Sequence, residues 1–133
     1  MKYLISLFFG TFFLLNSTIC FGIDHNYTDY NNLLKKYVAS SGSVSYGKWK
    51  GTNADYKRLT SFKAELEKVS VKEFGTFNHG QQKAYLINAY NALTILLILD
   101  NYPLKSIKKI GGVLQKPWSI KFFNLLELSL IHI

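Results

Sequence analysis

The sequence predicts an α+β domain that is mainly helical: about five helices, with a long buried central one, and one or two C-terminal strands of an incomplete sheet. Three observations lead there. Apolar residues recur at helical spacing through much of the chain that follows residue 28. From Ala84 to Leu99 only Asn88, Asn91 and Thr94 interrupt an apolar run, as in a helix buried on all sides. Near the end, Trp118, Ile120 and Phe122 alternate with Ser119, Lys121 and Phe123, as on a strand with one buried face.

The first 22 residues read differently. Met1-Lys2 precede the apolar run Tyr3 to Leu15, and a more polar Asn16-Ser17-Thr18 follows before Gly22. This is the order of a secretory signal, and the run is shorter than the about 20 apolar residues of a membrane span. Residues 1–22 are therefore expected to be a signal peptide cut after Gly22. Lipid attachment at Cys20 is the lesser alternative, since the bulky Ile19 stands before it. Export to a periplasm or beyond follows, with membrane contact only through an uncleaved leader. Residues 23–133 are read as one domain, truncated at its C-terminus, because the chain stops on Leu130-Ile131-His132-Ile133 without a turn or polar cap.

Within that domain each helix has its own signal. Tyr30, Leu33, Leu34, Tyr37 and Val38 share a face, so the spacing predicts a helix over 28–40, with Thr28 as cap. Ser40-Ser41-Gly42-Ser43 ends it, and Val44-Ser45-Tyr46 reads as a short extended piece. Asn53 opens a second helix with Tyr56, Leu59, Phe62, Leu66 and Val69 inward. Ser70 and Glu73 have capping-box spacing, which starts a short helix to Phe77. Asn78 caps the long helix, Gln81 occupies its third position, and Pro103 limits it to about Asn101. A last basic turn, Leu104 to Ile110, is closed by Gly111-Gly112.

Charge and composition narrow the function classes. Net charge is +8, and only Lys2 of the charged residues lies in the leader. Arg58 is the sole arginine, whereas base readout and phosphate forks favour arginine, so nucleic acid is not an expected partner. An unknown ligand or an anionic envelope polymer suits the scattered lysines better. Cys20 is the only cysteine, so the processed chain has no disulfide or thiol nucleophile. His25, His79 and His132 lie far apart without ligand spacing, so no metal site is expected, and no motif asks for a cofactor.

One set of motifs is similar to a known family. Val44-x-Tyr46, the block Ala84-Tyr85-Leu86-Ile87-Asn88-Ala89-Tyr90-Asn91-Ala92, Tyr102-Pro103, Ser106-Ile107, Gly111-Gly112, Pro117-Trp118 and Lys121-Phe122-Phe123 resemble, in order and spacing, the N-terminal part of the domain of unknown function number 547. The resemblance implies an uncharacterised exported protein. Its full domain continues into Cys- and His-containing segments that suggest a hydrolase, and this chain lacks them. Gln81 stands where the family usually has glutamate and Ser45 where it has aspartate, and Leu126-Glu127-Leu128 lacks the expected glycine turn. The chain is thus expected to be an N-terminal fragment of a hydrolase-like envelope protein, itself without catalytic residues. The alternative is a non-catalytic binding or scaffolding module.

Candidate binding residues are Asn88, Asn91, Gln81 and Trp118. At about 100° per residue, Gln81, Tyr85, Asn88 and Asn91 fall within one polar stripe. An amide buried without partners costs about 1–3 kcal/mol, so the two asparagines should either bond backbone in the Val44–Tyr46 region or line a pocket. Gln81 has a second reading as capping partner of Asn78, Tyr85 as a core aromatic with a surface hydroxyl, and Trp118 as a core residue or a stacking platform.

Overall fold

A computed structural model describes residues 22–110 and 125–126. Their elements are α1 (Thr28–Tyr37), α2 (Tyr46–Gly51), α3 (Asn53–Lys68), α4 (Val71–Phe74) and α5 (His79–Asp100), followed by a 3-10 turn, Ile107–Lys109. The α+β expectation is overturned, since the described residues are helical and hold no strand or sheet. Val38 and Val44 make one isolated antiparallel bridge, but Tyr46 already begins α2, so the extended piece cannot grow into a ladder. The alternation at Trp118 to Phe123 lies outside the described residues.

Asp24, not Thr28, prepares the start of α1. Its Oδ1 accepts from the Asn26 amide at 2.9 Å and its Oδ2 from the Thr28 amide at 3.0 Å. These bonds favour the charged form and hold its carboxyl below the usual value. Tyr27 turns the chain through the left-handed region, at φ 51°, so that its ring enters the core. Tyr30, Leu33 and Tyr37 then form the buried face of α1. The return to α2 is tight: the Ala39 amide donates to Ser43 O at 2.9 Å and the Ser45 amide to Tyr37 O at 2.8 Å. Gly42 supplies the positive φ, 82°, that this turn requires.

Trp49 is the anchor of the six-residue α2. It is wholly buried, stacks on Tyr37 with ring centroids 4.5 Å apart, and donates through Nε1 to the Asp55 carbonyl. Leu59, Phe62 and Leu66 carry the inner face of α3 as the spacing predicts, with Asp55 buried on that face one turn earlier.

Both spacings start helices, but only the second forms a full capping box. Ser70 accepts from the Glu73 amide through its side chain at 3.1 Å. Asn78 Oδ1 accepts from the Gln81 amide, and Gln81 Oε1 accepts from the Asn78 amide, each at 2.9 Å. From this cap α5 runs through the middle, packing against α2 and α3. Its buried residues include Tyr85, Ala89, Ala92, Leu93, Leu96 and Leu99. Tyr85 has no surface hydroxyl: the side chain is fully buried and donates to Leu66 O at 2.8 Å, at the end of α3. Tyr56 ties α3 to the far end of α5 by donating to Asp100 Oδ1 at 2.5 Å. Leu125, fully buried, completes the core from the C-terminal part of the chain.

Candidate functional site

The strongest polar cluster joins α1 to α3. Asp55 is 5% exposed, a degree of burial that an aspartate tolerates only with partners. It has three: Oδ2 accepts from Lys36 Nζ at 2.5 Å and from Tyr37 Oη at 2.7 Å, and Oδ1 accepts from Arg58 Nη1 at 3.1 Å. Arg58 turns its remaining donors onto Asp29 of α1. The Lys36 bond, followed by the Tyr37 bond, holds the Asp55 carboxyl down at about 2, while the same contact raises the Lys36 ammonium. The order of charges is cation, anion, cation, anion, with each polar group occupied. Such a cluster braces helices and offers no unoccupied base or nucleophile.

Expectation and structure part company on the face of α5. Gln81 is spent in the cap. Asn88 is half-buried and Asn91 exposed, and neither side chain hydrogen-bonds to another described residue. The asparagines therefore do not tie down the Val44–Tyr46 loop, which is held by backbone bonds of its own. The polar stripe straddles the edge of the core, with Tyr85 inside and Asn91 outside. Nor is the helix buried all round. Ile87 is 60% and Tyr90 38% exposed, and Lys83 and Asn91 lie beside them on the same open face. Trp118 lies outside the described residues. Since Asn91 leaves no partner behind, Asn91→Leu is expected to shift stability by less than about 0.5 kcal/mol. A urea midpoint lowered by the equivalent of about 1 kcal/mol or more would restore a structural role.

Sequence reasoning missed a cavity of about 310 Å³ at the start of the domain. Ile23, Tyr27, Tyr30 and Phe62 supply apolar and aromatic wall, and Asp24, Asp29 and Glu65 supply three carboxylates. Tyr30 and Phe62 stack with centroids 4.6 Å apart, and Tyr27 meets Phe62 edge-on. The hydroxyls of Tyr27 and Tyr30 are buried without a hydrogen-bond partner among the described residues. Burial raises both above the usual tyrosine range, so both are neutral at any physiological pH. Acids at 24, 29 and 65 show no spacing that would have announced the site. Only the fold brings α1 and α3 side by side.

A wider cavity of about 450 Å³ lies at the α3–α4 turn, lined by Glu67, Lys68, Val69, Ser70, Val71, Lys72 and Leu126. His25 sits apart from it, edge-on to Phe77 at 4.5 Å. Among the described residues no three His, Cys, Asp or Glu side chains are placed to hold a metal ion, and no helix is long and apolar enough to cross a membrane. Comparison of the chain with protein-family models, with curated proteins and with solved structures gave no match. The motif resemblance therefore stands on its residues alone.

Proposed function

We propose that the chain is an exported, non-catalytic binding module of the cell envelope that holds an anionic envelope polymer against the open face of α5. The observation that carries this reading is the exposure of Ile87 and Tyr90 beside Asn91 and Lys83, on a helix otherwise committed to the core. An aromatic ring and an aliphatic side chain provide a platform for apolar sugar or lipid-like faces. The neighbouring amide supplies hydrogen bonds, and the ammonium meets negative charge. The net charge of +8, which becomes +7 when Lys2 leaves with the leader, draws such a polymer in from a distance, in a salt-dependent way.

The same face serves the reading as an N-terminal part of a hydrolase-like envelope protein. Ile87, Asn88, Tyr90 and Asn91 all belong to the block on which the family resemblance rests. There the face would pack on the later segment of the parent protein.

Co-sedimentation of the purified chain with insoluble anionic cell-wall polymer separates these possibilities. Binding at low salt should weaken about tenfold in Ile87→Glu, a loss of about 1.4 kcal/mol, while the unfolding midpoint stays put. Absence of binding at low salt, or binding indifferent to the Ile87 substitution, would overturn the polymer reading.

A further inference from the structure

We propose that Asn26 is an acceptor site for an N-linked oligosaccharide. Asn26-Tyr27-Thr28 has the asparagine-x-threonine spacing, with no proline between, at which a carboxamide nitrogen of an exported chain takes up sugar. The inference rests on the export reading, since the lipid-linked sugar donor is used on the far side of an export membrane. A second match, Asn16-Ser17-Thr18, belongs to the leader and leaves with it. No other asparagine of the chain has a serine or threonine two residues on.

The fold leaves the Asn26 side chain without an internal duty. Its backbone is fully used: the amide donates to Asp24 Oδ1 at 2.9 Å and the carbonyl accepts from Asn31 Nδ2 at 2.7 Å. The residue is exposed, and its carboxamide bonds to no described residue. By contrast, the carboxamides of Asn31, Asn78 and Asn101 are spent on backbone groups. Asn26 also precedes α1 and lies outside any regular element, where a bulky solvated group is carried without repacking. Tyr27, the middle residue of the triplet, is only 5% exposed and enters the core. The transferase therefore meets the triplet in a chain that has just crossed the membrane, before the domain closes. Once it closes, Asp24 accepts from the amides of both Asn26 and Thr28 and fixes the turn that carries the sugar.

The transfer balances without a redox partner. Its donor is an oligosaccharide joined through the anomeric carbon to a polyisoprenyl pyrophosphate. Asn26 Nδ2 forms a bond to that carbon, the bond from the carbon to the pyrophosphate oxygen breaks, and the lipid pyrophosphate leaves. One Nδ2 proton passes to a base of the transferase. The modified side chain keeps one N–H donor and its carbonyl acceptor, and no backbone bond of the turn is consumed.

The test expresses the full-length gene in a bacterial host supplied with a lipid-linked oligosaccharide and a transferase that demands an acid two residues before the asparagine. Asp24 meets that demand. Intact mass of the exported product fixes both its first residue and any added sugar, and peptide mapping places the sugar. The expected product begins at or near Ile23 and carries one oligosaccharide, on Asn26. Asn26→Gln and Thr28→Ala should each abolish the addition, whereas Thr28→Ser should keep it. An unchanged urea midpoint for Asn26→Gln shows that the loss is not one of folding. An exported chain without sugar overturns the acceptor site and leaves export standing. A chain kept inside the cell with its leader overturns the export reading and this inference with it. Sugar that persists in Asn26→Gln sits on another residue and also overturns the proposal.

Discussion

Trp49→Ala is expected to cost about 3–5 kcal/mol, which is a large part of the total stability of a domain this size. The indole is wholly buried, stacks on Tyr37 and is the only buried side chain of α2. Its removal empties the space between α1 and α3 and also leaves the Asp55 carbonyl without its indole donor. A helix of six residues with glycines at positions 47 and 51 has little propensity of its own, so α2 should lose its helical form once the anchor is gone. Urea unfolding followed by circular dichroism measures the loss. A shift worth less than about 1 kcal/mol would show that α2 is an ornament on a core assembled without it.

The second large effect belongs to Asp55. Asp55→Ala leaves Lys36, Tyr37 and Arg58 without their common acceptor and should cost about 2–3 kcal/mol, the value being tempered by the access of Lys36 and Arg58 to water. An acid profile tests the same brace without a cavity. The folded-state carboxyl lies at about 2, below its ordinary 3.8. Its contribution is therefore complete above about pH 4 and is lost as pH falls through about 2, a change of about 2 kcal/mol. Asp55→Asn should flatten that stretch of the curve of stability against pH. Equal acid sensitivity in the wild-type and Asn chains would place the linkage on other carboxylates.

These effects bear on what could be read in advance. Two helix starts were legible because their signals are local: Ser70 to Glu73 and Asn78 to Gln81 each span three residues and act on the nearest amides. The inner face of α3 was legible because periodicity reports burial directly. Asp55 was not, since it looks like any solvated helix residue until Lys36 and Tyr37 arrive from 18 or 19 residues away. Similarly, α2 depends on a single tryptophan finding Tyr37, a tertiary event with no periodic trace. The long helix misled for the opposite reason: composition alone made it look buried on every side, and composition does not say that Ile87 and Tyr90 stay at the surface. The candidate pocket brings Asp24 and Asp29 together with Glu65, a juxtaposition that exists only after α1 and α3 have packed.

Every member of the Asp55 brace lies between Asp29 and Arg58. All of its residues therefore precede the first residue of α5 in the chain. The loops it closes are short, so the entropy of bringing its ends together is modest. The pair α1 and α3 thus possesses a polar registration point that uses no residue of the long helix. What α5 adds is apolar area against helices whose polar registration owes nothing to it, so polar setting and apolar burial are carried by different parts of the chain.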